Sequence, residues 1–374
     1  MQKVQINKIS EEIEKYIELL AYNGLNLISK ENVRQIEFFL QNASQVEAYR
    51  LATSLRYLNV ELERFLQQST AFNTERYIFF LCNCWLLSRS FKFLKDTKDE
   101  AFYHKLIGQA PQFQLIEDLK LRLGGIEKIF LEGAIFGVIL YFISLMGKTK
   151  GKILKWNILQ PSKGIINPDV LLTLEIPQQG ISFKDLFDKT FNAFKLSYSE
   201  KDELIALNEE PKSKIVLQEK KDYFPLKTLE RYDYDVKGLY SKISTFEYTP
   251  FDLPTSAFDY ILVKNLEIVD SEVEGEKENI KSSPVYIFKL NHKRGYPLYI
   301  RLQDKHVNQG LIEKLMNYKN NRKIIENLFG RLVLERGQLS IFPLCVINEN
   351  IEEFISVSEV QKDYREIMKT LYKK

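Results

Sequence analysis

A chain of 374 residues exceeds what one ordinary hydrophobic core accommodates, so two or three domains are expected. With 45% hydrophobic and 13% aromatic residues, global disorder is excluded, and a formal charge of +3 exerts no overall pull towards nucleic acid. Three cysteines, Cys82, Cys84 and Cys345, make no disulfide framework, and the charged start MQKVQINKISEEIEKY holds no apolar signal core. A reducing cytoplasm is the expected compartment, and the abundance of Lys, Asn, Ile and Phe fits an AT-rich bacterial genome.

The first third reads as helices. Ser10 to Tyr22 carries Ile13, Ile17 and Leu20 at helical spacing, with Gly24 as a stop. A second helix runs from Lys30 to Leu40. A third is predicted from a capping box at Ser44 and Glu47, followed by Ala48, Leu51, Ala52, Leu55, Leu58, Leu62, Phe65 and Leu66 on one face. Asn73 or Thr74 caps a fourth, Glu75 to Leu94, whose middle IFFLCNCWLL is apolar nearly all round and so belongs inside a bundle. A short helix from Gln114 to Leu121 closes the region.

The greasiest stretch follows, Gly124 to Ser162. Ile129 to Met146 has about the length a bilayer requires, roughly 18–20 residues. It also holds Glu132, Gly133 and Gly137, and Lys148-Thr149-Lys150-Gly151 then turns into the β-rich Lys152 to Ile158. The expectation is a soluble β-hairpin, one strand buried on both faces and its partner half exposed, with no membrane crossing. Gly124-Gly125 and Gly147/Gly151 read as turn glycines, since neither pair belongs to a phosphate-binding loop pattern.

Val170 to Ile176 is a predicted strand. Ser182 to Asp185 caps a helix reaching Leu196, Ser199 caps another to Leu207, and Asn208 to Pro254 reads as irregular connections. The last third regains order. Tyr260–Val269, Val285–Asn291 and Tyr296–Gln303 are strands, with a flexible acidic loop at 270–283. A helix from Asn308 to Tyr318 follows, then strands Leu328–Leu334 and Leu339–Ile347 around the turn 335–338, and a final helix from Ser358 to Tyr372. Three strands, a helix and two strands is the element order of an OB-type five-stranded barrel. No internal repeat is visible. The fold class is therefore α+β: an α-helical domain over 1–122, an α+β middle domain with the central hairpin over 123–255, and an OB-like or mixed β-barrel domain over 256–374.

Chemistry-bearing motifs are sparse. Cys82-Asn83-Cys84 has the wrong spacing for zinc and reads as buried structural thiols. Pro168-Asp169 followed by Glu175-Ile176-Pro177 resembles the metal-dependent nuclease pattern of two acids and a lysine, but Pro177 stands where the lysine belongs. No catalytic set, metal site or cofactor is assigned. An enzyme would have to assemble a cleft from remote residues such as Asp169, Glu175, Asp259 and His292.

Charge is segregated. Residues 281–346 contain twelve Lys/Arg against four Asp/Glu, whereas 200–280 contain nineteen acids against eleven bases. The basic segment interleaves aromatics, the combination that pairs phosphates with cations and stacks bases on rings. Its candidate nucleic-acid contacts are Lys289, His292, Lys293, Arg294, Tyr296, Tyr299, Arg301, Lys305 and Arg331. The first expectation for function is a non-catalytic cytoplasmic adaptor or structural subunit acting through other protein subunits. The second is a protein that binds single-stranded DNA or RNA through the basic C-terminal domain.

Overall fold

The computed structural model describes residues 2–69, 72–93, 106–108, 112–131, 135–161, 167–200, 203–218, 223–233, 238, 260–274, 284–291, 297–335, 338–349 and 351–357. The architecture is α+β, helices first and then strands, in two units, Met1–Gln112 and Phe113–Lys374.

The first unit holds α1 (Gln2–Asn23), α2 (Lys30–Gln45), α3 (Tyr49–Leu66) and α4 (Thr74–Phe93). α1 turns Ile6, Ile13, Ile17 and Leu20 inward and ends at Gly24, whose φ of 65° suits a residue without a β-carbon. The expected capping box at Ser44 and Glu47 does not form. α2 runs on through it: the Ser44 hydroxyl donates to the Leu40 carbonyl at 2.8 Å, and Glu47, at φ 61°, redirects the chain into α3. The box sits instead at Ser29 and Asn32, starting α2. α3 buries Leu51, Leu55, Leu58 and Leu62, as its spacing predicts. Asn73 caps α4 by accepting from the Arg76 amide at 2.9 Å. The buried carboxylate of Glu61 ties the end of α3 to that start through Arg64, Arg76 and the Asn73 amide. Cys84 faces the interior but Cys82 is exposed, which corrects the reading of both thiols as buried.

The second unit begins with β1 (Gln114–Leu131), where a short helix followed by glycine turns was expected. Leu119, Leu121 and Leu123 alternate inward along it, and Gly124 and Gly125 sit inside the strand at a bulge. β2 (Ile135–Ser144) and β3 (Ile153–Pro161) form the predicted hairpin, with β2 buried along nearly its whole length and β3 half exposed. The turn glycines Gly147 and Gly151 take φ of 70° and 80°.

Beyond the hairpin the structure departs from expectation. Pro168–Thr173 is a 3-10 helix and not a strand, started by the Asn167 side chain and by Pro168 at its first position. The box at Ser182 and Asp185 forms but closes a single turn, Phe183–Leu186. The chain then becomes β4 (Thr190–Ser199), β5 (Leu204–Ala206) and β6 (Lys214–Leu217), where two helices and an irregular stretch were expected. Phe191, Ala193, Leu196 and Tyr198 bury along β4, and pairing with β1 supplies its backbone partners.

A single helical turn, Leu226–Leu229, and a 3-10 turn, Glu230–Tyr232, then precede β7 (Tyr260–Glu274), β8 (Val285–Asn291), β9 (Leu298–Gln303), α5 (Gln309–Asn320), β10 (Ile325–Glu335), β11 (Gln338–Asn348) and β12 (Ile351–Glu353). β7 continues through Glu274 into the stretch expected as loop. The expected helix over 358–372 lies outside the described residues.

Strand pairing follows the same path twice. β1 pairs with β2, β2 with β3, β3 in parallel with β5, β5 with β4, and β4 with β1. β7 pairs with β8, β8 with β9, β9 in parallel with β11, β11 with β10, and β10 with β7. Each circuit of five closes on itself. β6 attaches outside β4, and β12 outside β11. The repetition escaped the sequence reading because the crossovers share no pattern: two 3-10 turns in the first circuit, α5 in the second.

One hydrophobic cluster fills the first circuit and runs into its junction with the second through Tyr260, Leu262, Phe329, Leu344 and Ile347. Another fills the second circuit, where Phe288, Leu290 and Ile300 meet Leu311 and Leu315 of α5. At Gly125 the two circuits approach closely, since a β-carbon there would lie 2.6 Å from Leu344 Cβ. No helix among the described residues is long and apolar enough to cross a membrane.

Candidate functional site

The pleat of β8 and β9 sorts the candidate residues. Phe288, Leu290, Leu298 and Ile300 point into the circuit, which leaves the intervening residues on its outer face. Lys289 stands directly opposite Tyr299 across the two strands, and opposite Asp270 on β7. The next row runs Glu272, Ile287, Arg301, and the row after it Glu274, Val285, Gln303. A cation and an aromatic ring therefore sit side by side on β8–β9, with a column of three acids along the neighbouring β7.

The individual placements differ. Lys289 and Lys305 are exposed, and Tyr299 is half-buried. The Arg301 side chain is nearly covered and its guanidinium donates to Glu274 at 3.1 Å. Arg331 lies on the far side of the circuit, against the first one, where it donates to Glu127 of β1 at 2.9 Å and stacks over Phe342. His292, Lys293, Arg294 and Tyr296 lie outside the described residues.

Arg331 belongs to a polar knot that the sequence reading missed. Glu127 also accepts from the Tyr141 hydroxyl, and Tyr260 packs edge-on to Tyr141 and stacks with Phe329. Burial, followed by the charge of Glu127, holds the Tyr141 phenol well above its ordinary range. Burial is the largest influence on Arg331 and opposes its charge, but Glu127 together with Tyr141 and Tyr260 more than offsets it, and the guanidinium is held above its ordinary value. Two more ion pairs are buried in this unit. Arg122, with no exposed surface, bonds Glu352, and Lys128 donates to Asp169 at 2.7 Å. Burial, only partly offset by Asp169, lowers the Lys128 amine. The one sequence signal was charge placed inside otherwise apolar strands, as at Arg122 and at Glu127-Lys128.

The nuclease-like pair is not arranged as a metal site. Asp169 is buried against Lys128, while Glu175 is exposed on a bridge to Ser182. Among the described residues no group of three or more His, Cys, Asp or Glu could hold a metal ion. Cys84 and Cys345 are fully buried, and that burial pushes both thiols above their ordinary range, away from nucleophilic use.

No family model matches the sequence, and no curated protein matches it. Among solved structures, the chain aligns with a replication protein A heterotrimer bound to single-stranded DNA at 10% identity and a TM-score of 0.30. The alignment covers 65% of this chain and about half, 52%, of that one, and a likeness at this score carries no argument about fold or function.

Proposed function

We propose that the second unit is a pair of OB-type five-stranded barrels, and that the protein is a binding subunit taking single-stranded DNA or RNA on the second of them. The observation behind this reading is the closed strand path, first–second–third–fifth–fourth–first with a parallel third–fifth step, traced once by β1–β5 and again by β7–β11. OB-type barrels carry oligonucleotides on the outer face of their second and third strands and on the loops joining the first to the second and the fourth to the fifth. In the second circuit that face is β8–β9. Lys289 supplies a phosphate cation beside the Tyr299 ring, and His292, Lys293, Arg294 and Tyr296 lie in sequence between the two strands, with Lys305 just beyond them. Arg301 and Arg331 are held by Glu274 and Glu127 and serve the fold.

Fluorescence anisotropy with labelled single-stranded DNA and RNA oligonucleotides tests the reading. Affinity is expected to fall steeply with salt, and replacing Lys289, Lys293 and Arg294 by Ala to weaken it about tenfold or more while reducing the logarithmic salt slope by roughly one per lost phosphate contact. Absence of binding at low salt rejects it.

A second reading, an adaptor that works through protein partners, is favoured by a different observation. Asp270, Glu272 and Glu274 border the same face, and Leu19, Tyr22 and Phe38 are exposed on the helical unit. Under that reading oligonucleotides do not bind, and a purified partner subunit protects the β7–β8 face from surface labelling.

A further inference from the structure

α4 is too apolar for its surroundings. One stripe of it faces solvent: Glu75, Ile78, Phe79, Cys82, Trp85, Leu86 and Arg89 recur at intervals of three and four and fall on one side of the helix. Ile78 is 50% exposed and Phe79 62%, Cys82 is exposed, and Trp85 and Leu86 are half-buried. The opposite side, with Tyr77, Leu81, Cys84, Leu87 and Phe91, is the one buried in the helical unit. A helix that is apolar on its buried side and carries a second apolar stripe on its outer side, with an acid and a base at the two ends of that stripe, calls for a cover of matching character.

The stripe is palindromic about Cys82. Reading outward, Phe79 mirrors Trp85, Ile78 mirrors Leu86, and Glu75 mirrors Arg89. We infer that the occupant is a second copy of this chain, with the two α4 helices antiparallel about a twofold axis at Cys82. That arrangement sets Phe79 against the partner's Trp85, Ile78 against the partner's Leu86, and Glu75 against the partner's Arg89, each twice. A twofold interface must be self-complementary in this way, and random apolar exposure need not be. Arg89 is available for the role. It lies 5.0 Å from the Trp85 ring centre, remains half exposed, and shares Glu14 with Lys92, whose amine is the closer of the two. Trp85 is in turn held by its indole N–H donating to Glu18 at 2.9 Å, so the edge of the stripe is preset. A single helical stripe is small for an interface, and a dimer with a dissociation constant on the order of 10 μM is expected.

Cys82 makes the test direct, since Cys84 and Cys345 are buried. Sedimentation velocity of the full chain across a concentration series is expected to show a monomer–dimer equilibrium, and a short bismaleimide to join two copies through Cys82. Phe79→Glu leaves the fold intact by circular dichroism and yields monomer. Glu75→Arg sets two arginines against each other twice and weakens the dimer about tenfold, whereas Glu75→Arg combined with Arg89→Glu restores it. A monomer at all concentrations overturns the inference, as does a dimer that ignores Glu75→Arg and Phe79→Glu and does not cross-link at position 82.

Discussion

At the scale of single residues, the charges that matter most to this molecule are the ones hidden inside it. Arg331 has the sequence neighbourhood of a phosphate contact, yet its guanidinium is spent on Glu127, with Tyr141 completing the set. Removing one member of a largely buried pair strands the other, which costs more than the pair contributes. Glu127→Gln is therefore expected to destabilise the fold by about 1–3 kcal/mol, read as a lowered denaturant midpoint. Arg331→Met is expected to do the same while leaving oligonucleotide affinity within about twofold, because electrostatic binding tracks solvent-facing cations. Lys289, exposed on β8, should show the reverse behaviour.

At the scale of elements, β1 shows how packing outvotes local preference. Its first turn looks helical in isolation, but the strand pairs with β4 on one side, Gln114 opposite Tyr198, and with β2 on the other. Its middle carries Gly125 because β11 comes so close that a β-carbon there would meet Leu344, and Gly124 because a β-carbon there would meet Ile143 of β2. Gly125→Val should lower stability by about 1–3 kcal/mol through overpacking, measurable as a fall in thermal midpoint, while a change at solvent-facing Gly147 to Asn, which tolerates its left-handed backbone, should be nearly silent. The hairpin β2–β3 was legible beforehand because everything that forms it is local: an apolar run, a Lys/Gly turn and a half-alternating return. The helices of the first unit were legible for the same reason, apart from the junction at Glu47, where a positive φ took the place of a cap.

At the scale of the whole second unit, the two circuits share a seam of aromatic and ionic side chains. Tyr141 and Tyr260 both sit in that seam, and burial first, with neighbouring acids, raises both phenols above the ordinary value. A phenol harder to ionise when folded contributes stability that is complete below about pH 10, where the unfolded tyrosine titrates, and that is lost as pH rises further. The unit is expected to lose stability in alkali from about that pH upwards, and Tyr260→Phe to make the loss per pH unit shallower, read from denaturant midpoints followed by near-ultraviolet circular dichroism. If the Tyr260 phenol ionised as readily in the folded unit as in the unfolded chain, the variant would leave the alkaline transition unchanged.

What the amino-acid order determined alone is whatever neighbours in the chain can settle: the helical first unit, the central hairpin, and the strand, helix and strand series from Tyr260 to Ile347. These depend on periodicity and turn chemistry, whose range is a few residues. Only the tertiary structure decided that 114–121, 190–199 and 204–206 are strands, that Arg331 and Lys128 are internal, and that one strand path is traced twice. Each of those outcomes needs a partner brought from far along the chain, 204 positions away for Arg331, and a short apolar or charged segment is ambiguous until that partner removes it from water.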